Sequence, residues 1–456
     1  MTDIEPELAD WVREVTGART VRFERRSAGG SRAGYAVDAE CPDGTSLELW
    51  LRCDTGVGPQ SNGPYTVRRE ASVYRQLHGR GVRVAEVVAV HPTADAFLMK
   101  RLYGRNWFSE VEDPDDQVRI AVELMEQLAV LHRIDVRDLD LPELGPVRTI
   151  GEHVLAELDI WEAQFRVHDE PEPTIELALA WLRRRLPDDD DWPLVLVQGD
   201  TGPGNFMFDA GRLVAVTDWE LAHFGDLHDD LGWIYVHDLQ ERFPDLPARL
   251  VDYSRASGHR VDPARLRYFL VLAQTRCAIG TRGGLLARDS RGEIASHLIY
   301  TTLHTRALAD ALAAATATAV APPAPMADPG DSPESWMYDV ALEDLRTTVV
   351  PAIDDGFASR RAKGVARLVK YLREHERLAG VVAQAEAGDL EYLLGAPVDD
   401  VAAGRRELCR RIRAADVDDA AVIAYCVAHW GRRTEVLRPA MGALADRRCS
   451  PLPPVE

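Results

Sequence analysis

The spacing of hydrophobic positions changes along the chain, and each spacing predicts a kind of element. Between residues 21 and 52 short apolar runs alternate with glycine-bearing turns, in VRFERRSAGGSRAGYAVDAE and then TSLELWLR, which predicts strands joined by loops. A Gly/Pro-rich connection, TGVGPQSNGP, follows. Val67, Glu70, Val73, Tyr74 and Leu77 then recur at steps of three and four, a helical pattern. VAEVVAV and AFLMKRL flank the turn signal HPTAD and predict a β-hairpin. From about residue 115 the pattern turns helical, most clearly in the amphipathic DDQVRIAVELMEQLAVLHRI. LVLV at 194–197, FMF and LVAVT return to strand character, and after 230 the chain reads as helix again.

The segment TATAVAPPAPMADPGDSPES has little apolar periodicity and is the best linker candidate. Beyond it the pattern is helical, with Val365, Leu368, Leu372, Ala379 and Val382 marking one expected buried stripe. A length of 456 residues suits two or three units rather than one core. The formal net charge of -21 argues against nucleic acid as a partner, because phosphate binding needs basic stripes. Residues 331–456 hold 21 acidic and 18 basic side chains, a balance of -3, so the first 330 residues carry the other -18. Such a field would draw a cationic substrate, and it also serves solubility. The six cysteines form no C-x-x-C pair, and reduced thiols are expected. The acidic N-terminus has no apolar signal core, and the Ala-rich stretch at 307–321 is too short to span a bilayer, so a soluble, cytoplasmic protein without a membrane partner is expected.

The chemistry-bearing segment is VLVQGDTGPGNFMFDAGRLVAVTDWE. A short apolar strand ends at Gln198-Gly199-Asp200, and Asn205 follows five residues after the aspartate. A hairpin comes next. Pairing Phe208 with Leu213 sets Asn205 roughly opposite Val216 and brings Asn205 and Asp218 to one end of it. A loop carboxylate and two oxygen ligands that converge are what phosphoryl transfer needs. The carboxylate orients a hydroxyl and accepts its proton, while Asn and Asp oxygens suit Mg²⁺. Gly202 and Gly204 would let the loop approach phosphate closely.

Q-G-D-T-G-P-G-N followed by D-W-E resembles the pattern of the aminoglycoside phosphotransferase and choline kinase superfamily, H-G-D-x-x-x-x-N and then D-x-E/D. AHFGDLHDDLGW is similar to a second family segment, with Asp230 as a structural buttress. The resemblance covers roughly residues 20–310. It implies an α+β, two-lobed protein-kinase-like fold with a small β-rich N-lobe and a larger helical C-lobe, here with an all-α C-terminal domain added. The expected division is an N-lobe at 1–100, a C-lobe at 101–312, a linker at 313–335 and an independent helical domain at 336–456. By the same resemblance Asp200 is the catalytic base, Asn205 and Asp218 bind Mg²⁺, and Glu220 assists. ATP, or GTP, is the expected nucleotide. SAGGSRAG, with Ser27, Gly29, Gly30 and Ser31, would cover it, and backbone groups of Met99, Lys100 and Arg101 would contact the base.

Two departures stand out. Gln198 replaces the usual His, whose role in such folds is mainly structural. No Lys precedes Lys100, and the position of the usual phosphate-binding strand Lys is held by Arg52, with Glu70 on the following helix as its partner. Arg is permanently charged and bidentate, so it can serve both phosphate and carboxylate. The alternative is a surface Arg on an edge strand. His223, Asp226, His228, Asp229, His237 and Asp238 could form a metal-hydrolase site, but their place directly after D-W-E favours a structural role. His132 reads as a packing residue, and RRELCRRIR at 405–413 as a solvated helix face. Two function classes follow: a kinase acting on a small-molecule hydroxyl (an antibiotic, an amino alcohol or a hydroxyacyl compound), or a nucleotide-binding pseudokinase that presents the helical domain to a partner. Oligomeric state is open.

Overall fold

The computed structural model describes residues 4–26, 32–54, 56, 63–188, 191–288, 293–321 and 325–454. Ser27, Gly29, Gly30 and Ser31 lie outside these described residues. The chain divides into two compact units: residues 1–154, 187–266 and 450–456 form one, and residues 155–186 and 267–449 the other.

The first unit opens with helix α1 (Pro6–Thr16), then strands β1 (Thr20–Arg26), β2 (Arg32–Glu40) and β3 (Ser46–Asp54). Helix α2 (Val67–Leu77) and strands β4 (Val87–Val90) and β5 (Ala96–Lys100) follow. The strands form one antiparallel sheet in the order β1-β2-β3-β5-β4. Leu8, Trp11 and Val12 of α1 pack with Tyr35, Val37, Leu49, Leu51 and Leu98 of the sheet. Each large side chain buried this way contributes about 1.5–3 kcal/mol. Thr66 caps α2 by accepting from the Arg69 amide, and Val67, Glu70, Val73, Tyr74 and Leu77 are all buried as their spacing predicts. A buried glutamate on that apolar face needs a cation, and Arg52 on β3 supplies it.

Helix α3 (Pro114–Leu131) matches the amphipathic run after residue 115. Helices α4 (Ile150–Arg166) and α5 (Pro173–Arg184) precede four short strands: β6 (Val195–Val197), β7 (Phe206–Asp209), β8 (Arg212–Val216) and β9 (His223–Gly225). β6 pairs with β9 and β7 with β8. Helices α6 (Leu227–Asp238) and α7 (Leu246–Ser257) complete this unit's helical part. The hairpin pairs Phe208 with Leu213 as expected, but a bulge between Met207 and Phe208 then sets Phe206 opposite Val216. The extra residue moves Asn205 on by one position, and its carbonyl accepts from Thr217 N rather than facing Val216.

The second unit is all helix. It holds residues 155–166 of α4, α5, α8 (Pro263–Leu286) from residue 267 onward, α9 (Ile294–Ala315), α10 (Trp336–Asp344), α11 (Gly356–Leu394), α12 (Val401–Arg413) and α13 (Asp419–Met441). α13 packs on α9, α11 and α5, and α12 packs on α5 and α11. Residues 336–449 therefore share a compact unit with α5 and α9. The stripe expected on α11 is only partly covered. Leu368, Ala379 and Val382 are half-buried and Val365 and Leu372 are 49% and 48% exposed, while the buried positions of the helix are Leu378, Glu386, Leu390 and Leu394, outside that stripe. No helix among the described residues is long and apolar enough to cross a membrane, and the six cysteines are free thiols.

Candidate active site

The loop between β6 and β7 carries Asp200 and Asn205. Asn205 Nδ2 donates to the Asp200 carbonyl at 2.7 Å and to Asp200 Oδ2 at 2.6 Å. The other carboxylate oxygen, Oδ1, lies 2.9 Å from Nε2 of His237, which α6 projects into the loop. Both oxygens are thus fixed while the side chain stays 29% exposed. Because Asn205 uses its amide nitrogen on Asp200, its Oδ1 is left without a hydrogen bond among the described residues.

Gln198 builds the loop from below. Its Nε2 donates to the carbonyls of Thr217 (3.0 Å) and Asp218 (2.6 Å), and its Oε1 accepts from Asp200 N (2.8 Å) and Thr201 Oγ1 (3.0 Å). One side chain therefore clamps the Asp200 loop to the segment carrying Asp218, a task that needs a donor and an acceptor together. Asp230 is the buried anchor beneath. It accepts from the amides of Gln198 and Gly199 at 2.9 Å each and from Thr201 Oγ1 at 2.7 Å, and it pairs with His132 at 3.0 Å. Burial would raise its carboxyl, but His132 and these amides outweigh burial and lower it. His132 Nδ1 also meets Tyr253 Oη at 2.8 Å, so it is a packing histidine.

Arg52 joins the sheet to this loop region. Its Nε donates to Glu70 Oε2 at 2.7 Å and its Nη2 to Asp218 Oδ1 at 2.6 Å, while Nη1 has no hydrogen-bond partner among the described residues. Glu220 lies 3.6 Å from Arg52 and 3.3 Å from Arg32, and Arg32 also holds Asp54 at 2.9 Å. Arg52 is buried and far from an edge-strand surface position. Three carboxylates crowd around it. Burial, reinforced by Asp218 and opposed by Arg52, pushes Glu70 up to about 7. Burial and Asp218 push Glu220 up to about 8. Asp218 has φ +58°, a left-handed conformation that a non-glycine residue adopts at a cost, and such strain concentrates at functional sites.

Other expected residues fall differently. The amides of Lys100 and Arg101 already donate to the carbonyls of Glu86 and Glu48. The Lys100 side chain is exposed and paired with Glu86, Arg101 is tied to Asp38, and Met99 sits between Trp50 and Val87 in the sheet. The space at the loop glycines is filled from within the protein: a Cβ at Gly202 would collide with the His237 ring, and one at Gly204 (φ +101°) would press on Trp107 at 3.3 Å. In the His/Asp-rich run, His223 pairs with Asp229 and His228 with Asp226, and the described residues contain no metal-binding cluster of three or more His, Cys, Asp or Glu. His237 was hidden in that run. Its distance of 37 residues from Asp200 has no motif to mark it.

Residues 59–269 match the model of the phosphotransferase enzyme family. Over these residues the chain is similar to that family. A solved Ralstonia eutropha protein assigned as an aminoglycoside phosphotransferase shares the fold, with TM-score 0.50 and 20% identity over 65% of this chain and 93% of that one. The chain is therefore α+β and protein-kinase-like, with further C-terminal helices beyond the shared fold. An aminoglycoside phosphotransferase solved in ternary complex with ADP and hygromycin B is 16% identical over 68% of this chain and 99% of that one, with TM-score 0.46. Among curated proteins, acyl-CoA dehydrogenase family member 11 of Rattus norvegicus is 28% identical over 179 residues, 37% of this chain. The match spans 22% of that relative's length.

Proposed function

We propose that this chain is a small-molecule kinase that transfers the γ-phosphoryl group of ATP or GTP to a hydroxyl. One observation carries the reading: the Asp200 carboxylate is held at both oxygens, by Asn205 and His237, yet remains open to solvent. A carboxylate fixed in this way can orient an incoming hydroxyl and take its proton onto an oxygen whose position is already set. The spare Asn205 Oδ1 and the Asp218 carboxylate are oxygen donors of the kind Mg²⁺ takes when phosphates complete its shell. When bound there, Mg²⁺ would supply charge neutralisation for the nucleotide phosphates. The carboxyls of Glu70 and Glu220, raised first by burial and then by Asp218, fit such a site, where a cation would favour their charged forms. Arg52, braced by Glu70 and with Nη1 spare, can present that prong to a phosphate oxygen.

The acceptor is a small hydroxyl compound. Hydroxyacyl compounds, amino alcohols and aminoglycosides are the acceptors to screen, and the positive charge of the last two would suit the chain's net charge of -21. The alternative, a nucleotide-binding scaffold, draws on the Arg52–Asp218 ion pair, which occupies one of the proposed metal ligands. A screen of hydroxyl acceptors with Mg·ATP and Mg·GTP tests both. In the kinase reading Asp200→Asn slows transfer by a factor on the order of 10²–10⁴ and leaves nucleotide affinity nearly intact. Full activity in that variant removes Asp200 from the chemistry. Binding without turnover in the wild type favours the scaffold.

A further inference from the structure

Four helices of the second unit bound a half-open cavity of about 340 Å³. That size falls at the small end of ligand sites, roughly 300–1,000 Å³. Leu298 of α9, Ala379 and Val382 of α11, Val401 of α12, and Val436 and Leu437 of α13 give it apolar walls. Small side chains, Ala383 of α11 and Ala402 of α12, complete that lining. Ala379 and Val382 belong to the stripe whose spacing predicts burial, yet both are only partly covered. A packed apolar stripe facing an unfilled space forfeits its contacts on one side, and an apolar occupant restores them.

The charges on the walls select the occupant. Glu386 is buried and fully served. Arg405 donates to both its oxygens, with Nη2 to Oε2 at 2.6 Å, and Tyr425 Oη donates to Oε1 at 2.9 Å. Arg405 is thereby neutralised. Arg433, half-buried in the lining, has no carboxylate partner among the described residues, and its guanidinium stands 5.8 Å from the centroid of the Trp430 ring. His375 stacks on Tyr371 at the cavity edge. An apolar cavity whose lining carries one uncompensated guanidinium is complementary to an amphipathic monoanion. We propose that the cavity bounded by α9, α11, α12 and α13 binds a medium-chain carboxylate, its hydrocarbon body between Leu298, Val382 and Val436 and its head on Arg433. The site's residues all lie between 298 and 437, so the inference stands apart from the kinase reading.

The test is calorimetric titration of the full chain with decanoate and with decanol, both below the concentration at which they aggregate. Saturable binding of one decanoate per chain, at least tenfold tighter than decanol, is expected. Arg433→Met should weaken decanoate at least tenfold and leave decanol unchanged. Ala379→Phe should fill the cavity and abolish binding of both, with circular dichroism and melting temperature confirming that the variant is folded. If that variant does not fold, Ala383→Leu at the cavity wall serves for it. Equal affinity for decanol and decanoate, unchanged decanoate binding in the filled variant, or binding only above the aggregation concentration overturns the proposal.

Discussion

Arg52 with Glu70 and Arg405 with Glu386 are both arginine pairs on a buried glutamate, one in each compact unit, and they differ in everything around them. Glu386 has both oxygens occupied by Arg405, with Tyr425 and His429 beside it. Burial would raise its carboxyl, but His429 and Arg405 outweigh burial and hold it well below the usual carboxylate range. Glu70 has one oxygen on Arg52, while Oε1 is buried without a hydrogen bond among the described residues, and Arg52 is shared with Asp218 and approached by Glu220. Burial pushes its carboxyl up to about 7. A saturated pair of this kind fixes a helix interface. An undersupplied one, with more anions than cations, is what a site built to receive a metal and phosphates would leave behind.

The largest expected effect comes from breaking the saturated pair. Glu386→Leu alone strands the Arg405 charge and should destabilise the protein by about 3–5 kcal/mol, read by urea denaturation. Adding Arg405→Met should recover most of that loss. A double variant as unstable as the single one would show that the pair acts by more than charge.

The undersupplied pair should fail differently. Arg52→Ala and Glu70→Ala should each lower turnover about 10²-fold and weaken nucleotide binding, with the double variant little worse than either. Stability should change less than in Glu386→Leu, because a carboxyl already near 7 can take up a proton when its partner is removed. Strictly additive defects, measured in a double-mutant cycle, would dissolve the pair as a functional unit.

The two glutamates should also respond to pH with opposite sign. Glu70 is raised in the folded state, so its contribution is full below the ordinary carboxylate value of about 4.5 and is lost as pH rises through 7. Glu386 is depressed, so its contribution is present above about 4.5 and is lost as pH falls toward its folded value. Melting curves should show Glu70→Gln gaining on the wild type between pH 5 and 8 by roughly 1 kcal/mol, or about 2–4 °C. The deficit of Glu386→Gln should shrink below pH 4.5. The same sign in both variants would undo the comparison.

The smallest effect concerns the loop itself. His237→Ala frees one oxygen of Asp200 and should lower kcat about tenfold with KM for nucleotide unchanged. His237→Gln, which keeps an N–H donor, should recover part of the loss. A change confined to KM would assign His237 to binding rather than to positioning Asp200.

Much of the fold was legible because local spacing and burial agree. Val67 to Leu77 read as a helix with its inward face known in advance, and that face is the buried one. Glu70 as the partner of Arg52 came from the resemblance to kinases, which pair a strand cation with a helix glutamate, and not from spacing. The β7–β8 hairpin was legible except for its bulge, which no residue type marks. The stripe on α11 misled at Val365 and Leu372, because periodicity states which positions share a face but not how completely that face is covered.

By itself the sequence determined the elements, the convergence of Asn205 and Asp218 at one hairpin end, and the absence of any lysine before Lys100. These depend on contacts a few residues apart or on motifs whose spacing is the signal. Only the tertiary structure decided that Asp200 meets His237, that Gln198 clamps two segments, and that residues 336–449 share a compact unit with α5 and α9. Each of these joins groups 19 or more residues apart, where chain geometry imposes no distance and the packing of whole helices and strands sets it.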